Sequence, residues 1–229
     1  MIFDFRFWRY LANQQELLDN LGSATMRDFK KRVGMVGLFG LLLFITQELW
    51  GMNTQHLTSV YAFGGLDLYS LVRLVSLAGI ILWGILYMAF HFFGIAFLLN
   101  RITGIKLSIL AVLQLYVVGI LLIEKALLFL IFTLTGLTTP VSLFSFGPLA
   151  ATIFDHPFLI FFFNQLTVFT ALIIALQIRF IRVFTEMNPR NILMIVILIH
   201  IVMALFTASI SILPLEEWYV RYVEGGALK

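Results

Sequence analysis

The stretch Leu107–Phe132, LSILAVLQLYVVGILLIEKALLFLIF, decides the class of this protein. Its 26 residues hold one adjacent pair of charges, Glu124 and Lys125. As a helix it would be about 39 Å long, more than the roughly 30 Å of bilayer hydrocarbon. Four more stretches read the same way: Val33–Leu49, Leu74–Leu99, Phe158–Ile178 and Ile192–Leu213. The first is the shortest, between Lys30-Lys31-Arg32 and Gln47-Glu48-Leu49-Trp50. The fourth opens at Pro157. The fifth opens at Asn188-Pro189, a capping residue and a first-turn proline, and is closed by Pro214. The expected fold is all-α: a polytopic bundle of five transmembrane helices with an N-terminal amphipathic interfacial helix. Three regions follow: a cytoplasmic segment 1–32, a membrane domain 33–213 and a short external tail 214–229.

Composition agrees. Hydrophobic residues make up 61% and charged residues 12%, about half the charged share of soluble domains. With no cysteine, disulfides, thiolate metal sites and cysteine nucleophiles are all excluded. The start, Met1-Ile2-Phe3-Asp4-Phe5-Arg6, lacks the pattern of a cleaved secretory signal, so the first span is expected to target the chain and stay in place. An external face without disulfides suits a bacterial cytoplasmic membrane.

Basic residues set the orientation. Arg6, Arg9, Arg27, Lys30, Lys31, Arg32, Arg101, Lys106, Arg179, Arg182 and Arg190 fall on one side of the five spans. Arg73, Arg221 and Lys229 fall on the other, and Lys125 lies within a span. The N-terminus is therefore expected in the cytoplasm and the C-terminus outside. The basic clusters attract anionic membrane lipid, so nucleic acid is not needed to explain them.

Before the first span, Phe3, Phe7, Tyr10, Leu11, Leu17, Leu18 and Leu21 recur at helical spacing, and Trp8 and Tyr10 suit the headgroup level. This amphipathic helix could lie on the leaflet or dock in a partner's groove. Gly22-Ser23 breaks it, and a second helix is expected from Ala24 into the membrane.

Polar groups within the spans are candidate sites because lipid makes them costly. Counting 1.5 Å per residue, His91, Gln114 and His200 share one depth, some 12–14 Å inside the cytoplasmic boundary. An outer layer holds Glu48, Glu124, Lys125, Asn164 and Gln165. Glu124 and Lys125 point about 100° apart and pair poorly; Lys125 either meets Glu48 across helices or snorkels outward. Bundle-holding hydrogen bonds explain the inner layer more readily than transport does, since nothing acidic accompanies the histidines. Gly34, Gly37 and Gly40 recur every third residue, and Ala204 and Ala208 are four apart; both permit close helix contact, within the bundle or with another subunit.

No catalytic or metal-site motif occurs. Two intramembrane histidines without a carboxylate make a poor zinc site, and they lack the carboxylates with which a proton relay normally alternates. Turn formation before Pro157 accounts for the neighbours Asp155 and His156, and Ser142, Ser145 and Gly147-Pro148 suit a re-entrant or surface segment. No cofactor is expected.

His91-Phe92-Phe93 through Leu98-Leu99-Asn100-Arg101-Ile102-Thr103-Gly104-Ile105-Lys106 resembles the second span, basic-glycine turn and third-span entry of the Yip domain family in its bacterial form. Gln177 to Arg182 and Asn188-Pro189-Arg190-Asn191 resemble that family's fourth-to-fifth connection. The likeness covers nearly the whole chain. It departs at the turn, where the family often has paired glycines and this chain has Gly104 alone. It departs again at Asp67-Leu68-Tyr69, where the Gly-Pro of the eukaryotic motif is missing. The resemblance implies a non-enzymatic membrane partner or scaffold, in bacteria sometimes linked to ABC-type export systems, with no catalytic residues to carry over. The expected function is accordingly an accessory protein that binds another integral membrane protein or ABC-type transporter subunits. Contact would run through Phe3, Phe7, Trp8 and Tyr10 or the Gly34/Gly37/Gly40 face. The alternative is a small permease or channel using the two polar layers.

Overall fold

The computed structural model of the protein describes residues 2–4, 16, 21, 25–54, 57–139 and 141–213. Two short strands, β1 (Ile2–Asp4) and β2 (Thr25–Arg27), pair in parallel with Ile2 opposite Thr25. Among the described residues, everything regular after them is helical. The helices are α1 (Phe29–Leu49), α2 (Thr58–Ala89), a π-helical turn (Phe90–Gly94), α3 (Ile95–Thr103), α4 (Leu107–Thr135), α5 (Gly147–Ile153), α6 (Pro157–Asn164), α7 (Val168–Phe184) and α8 (Pro189–Ser211). Four stretches among the described residues are long and apolar enough to cross a membrane: Phe29–Leu49, Gly65–Thr103, Leu107–Thr135 and Pro189–Ser211.

The chain divides into two compact units. One holds residues 1–138 and 175–192, the other 139–174 and 193–229. In the first, α4 forms the core. Every residue from Val112 to Gly119 is buried, so this stretch of the helix is enclosed on all faces. α1 packs on it and on α2 through close approaches. A Cβ on Gly40 would strike Met88 Sδ and lie 2.9 Å from Leu122 Cδ1, and one on Gly84 would lie 2.9 Å from the Phe44 ring. Phe44 in turn meets Tyr87 edge-on at 5.8 Å. α1 stops where Gly51 (φ 88°) turns the chain left-handed, with Gly51 N donating to Glu48 O and Met52 N to Gln47 O. α8 begins as its sequence predicts, Asn188 Oδ1 accepting from Arg190 N at 2.9 Å beside first-turn Pro189.

In the second unit, α5 and α6 pack as a short helical hairpin. His156 Nδ1 accepts from Phe158 N at 3.2 Å and so caps α6, which gives the Asp-His pair its structural role.

Three expectations need correction. The stretch Phe158–Ile178 is not one helix: α6 ends at Asn164 and α7 begins at Val168. No helix runs from Ala24, because Thr25–Arg27 pairs with Ile2–Asp4 and α1 starts only at Phe29. At the other end of the amphipathic pattern, Phe3 lies in that strand, while Glu16 and Leu21 are helical. Phe7, Trp8 and Tyr10, like the tail from Pro214, lie outside the described residues.

Candidate functional site

The outer polar group forms first at the end of α1. Glu48 is 2% exposed, and an isolated carboxylate there would be costly. Ser76 Oγ donates to its Oε1 at 2.6 Å, and Arg73 Nη1 lies 3.9 Å from the same oxygen. The Arg73 guanidinium also donates to Glu48 O and Leu49 O at 3.2 and 3.3 Å. One arginine thus neutralises the carboxylate and satisfies the last carbonyls of α1, where a helix end favours a cation. Beside it, buried Gln47 donates from Nε2 to Lys125 O at 3.0 Å, tying α1 to α4. The expected alternative of Glu48 with Lys125 is therefore replaced by Glu48 with Arg73, which reaches from the adjacent helix. Glu124 is buried and Lys125 half-buried.

The inner group divides between units. His91 and Gln114 belong to the first unit and His200, half-buried on α8, to the second. His91 sits in the π-helical turn, a local form common at functional positions. Its Nδ1 lies 2.8 Å from Tyr87 O. A carbonyl can only accept, so Nδ1 carries the hydrogen and neutral His91 presents Nε2 as an acceptor. Gln114 on α4, which packs against that turn, is fully buried. Neither its Nε2 nor its Oε1 has a hydrogen-bond partner among the described residues.

The three glycines of α1 do not form one face. A step of three residues turns a helix 300°, so each glycine lies 60° round from the last. Gly40 is buried in the bundle, while Gly37 and Gly34 have no atom within 4 Å of an added Cβ. Gly37 lines an apolar groove of about 290 Å³ with Val33, Val36, Met88, Phe92 and Leu115. Gly34 lies on the outward stripe with exposed Met35, Leu38, Phe39 and Leu42.

Asn164 organises the second unit. Its Oδ1 accepts from Ser142 N at 2.7 Å and from Ser145 Oγ at 2.9 Å, and Ser145 Oγ accepts from Gly147 N at 2.9 Å. The interruption after Asn164 is paired on its backbone as well. Phe146 N donates to Leu166 O and Val168 N to Phe144 O. Thr167 Oγ1 accepts from Thr170 N at 3.0 Å and so caps α7, while Thr170 Oγ1 donates to Gln165 O. The run Asn-Gln-Leu-Thr at 164–167 is the sequence signal for this break. For Arg73 and Ser76 the signal is a polar pair three apart, on one face of a helix, at the edge of an apolar run.

No cluster of three or more metal-ligating side chains occurs among the described residues. Compared with family models, with curated proteins and with solved structures, the chain matches none.

Proposed function

We propose that this chain is a non-enzymatic accessory protein of the bacterial cytoplasmic membrane that binds and helps assemble or regulate another membrane complex, such as an ABC-type exporter. The observation that carries this is the outward stripe of α1. Gly34, Met35, Leu38, Phe39 and Leu42 are exposed, with open space above the glycine. In lipid, helices associate through close packing at small residues, so this stripe suits a partner's transmembrane helix. The state of the polar groups supports the same reading. Glu48, Arg73, Gln47 and Asn164 are spent on hydrogen bonds that hold the chain itself together. The Yip-like role of membrane scaffold fits this assignment.

The proposed topology keeps five crossings, with α6 and α7 together as a broken fourth. Were they not to cross, Arg179, Arg182 and Arg190 would lie outside, against the charge rule. The N-terminus would be cytoplasmic and the C-terminus external.

Purification in mild detergent should bring down a stoichiometric membrane partner. Gly34→Leu, or deletion of residues 2–20, should abolish it while Gly34→Ala does not. Retention of the partner by both disruptive variants would sink the scaffold reading. A small permease then moves ahead, favoured by the unpartnered Gln114 amide and the broken α6–α7 segment. For that reading, His91→Gln at normal expression should abolish function.

A further inference from the structure

The groove that Gly37 lines begins one helical turn from a concentration of positive charge. Lys30, Lys31 and Arg32 occupy the first turn of α1, which holds no acidic residue. Asp28, at the capping position, makes no side-chain hydrogen bond to the helix end. Three cations thus sit on the positive end of a helix dipole next to Asp28, an arrangement that further negative charge stabilises. Lys30 and Lys31 are exposed, and Arg32 Nε is enclosed without a hydrogen-bond partner among the described residues. Among the described residues that guanidinium makes a weak contact, Nη1 to Met35 Sδ at 3.9 Å. Arg32 lies four residues before Val36, on the same face of the helix, and Val36 is part of the groove wall.

The groove is the apolar half of the arrangement. It runs along α1 from Val33 to Leu41, about 12 Å of helix. Leu115 closes it from α4, and Met88 and Phe92 line it from α2 and the π-helical turn. Phe29 stacks on Phe92 at 6.4 Å beside the basic turn. An elongated apolar slot with guanidinium and ammonium groups at one end matches an acyl chain joined to a phosphate. An apolar partner helix would fit the slot but would bring no negative charge to the three cations.

We propose that this groove binds one anionic glycerophospholipid, with an acyl chain along Val33, Val36 and Gly37 and its phosphate held by Lys30, Lys31 and Arg32. The proposal does not rest on the partner reading: the stripe at Gly34 adjoins the groove and shares Leu38 with it, but Gly34 itself does not line the groove. A zwitterionic headgroup would bring its own cation into the basic turn, so phosphatidylglycerol is preferred over phosphatidylcholine.

Native mass spectrometry of the delipidated full chain, titrated with phosphatidylglycerol or phosphatidylcholine of identical chains, tests this. The wild type should retain one phosphatidylglycerol with a preference of about tenfold, the scale of a few basic contacts to an anionic lipid. Replacing Lys30, Lys31 and Arg32 together with Gln should equalise the two lipids. Gly37→Leu should lose both, whereas Gly34→Leu should lose neither. Val33→Phe narrows the same groove at its charged end and decides the matter alone if Gly37→Leu fails to insert. Equal retention of the two lipids by the wild type would overturn the proposal. So would wild-type retention in the groove variants, including a case where Gly37→Leu loses a co-purifying protein instead of lipid.

Discussion

Alanine at Gly34, Gly37 and Gly40 in turn separates the three surroundings of α1 by energy. Exchanging glycine for alanine inside a helix gains about 0.8–1 kcal/mol of propensity. That gain is common to all three sites, so differences between them report the space each Cβ enters. At Gly37 and Gly34 the new methyl meets nothing within 4 Å, and the variants should be as stable as wild type or better. At Gly40 it would collide with Met88 Sδ and press on both Leu122 methyls at 2.9 and 3.0 Å. Met88 can swing its flexible end away, but Leu122 is 2% exposed and has no room to retreat. Overpacking of this kind costs about 1–3 kcal/mol, so Gly40→Ala should lie below Gly37→Ala by that amount. Equilibrium unfolding in mixed detergent micelles, followed by far-ultraviolet circular dichroism, gives the comparison. If Gly37→Ala is destabilised as much as Gly40→Ala, the rotation of the glycines around α1 is wrong and the groove is not open.

Arg73→Leu strips the buried Glu48 of its countercharge and should cost about 2–4 kcal/mol in the same assay. That is below the full cost of breaking a buried pair, because the contact is long and Arg73 partly exposed. Adding Glu48→Gln should restore much of the loss, and no recovery would mean the carboxylate is not the cause. Asn164→Leu orphans the Ser142 amide, at about 1–3 kcal/mol, while the Ser145 hydroxyl keeps Ser142 O as its acceptor. Asn164→Asp keeps the acceptor and should cost less, with hydrogen exchange at Ser142 as the local readout. Reporter fusions at Thr138 and Asn188 should fall on opposite sides of the membrane; the same side for both would show that α6 and α7 do not cross.

Most of the helices were legible because lipid imposes simple rules. Composition and the long runs around Leu107–Phe132 and Ile192–Leu213 announce membrane helices, since every backbone group must be paired within its own segment. The Asn188-Pro189 start was readable for a local reason, a cap and a ring that act within one turn. The glycine arrangement was legible in principle, as a period of three cannot hold one face of a 3.6-residue helix, yet which glycine faced inward was not.

The rest depends on groups distant in the chain. An apolar run from Phe158 to Ile178 looks continuous on its own. Its break exists because backbone groups of 166–168 pair with 144–146 and Asn164 reaches Ser142 and Ser145. Glu48 could be recognised as needing a partner, but Arg73 was chosen over Lys125 by which helix side chains the packing of α1 and α2 brings within reach. The sequence by itself determined that this is a membrane protein and where most of its helices run, because hydrophobicity and backbone pairing act locally. Only the tertiary structure decided which polar groups are spent, which glycines are open and where a helix stops. Those outcomes depend on distances between residues that the chain order does not contain.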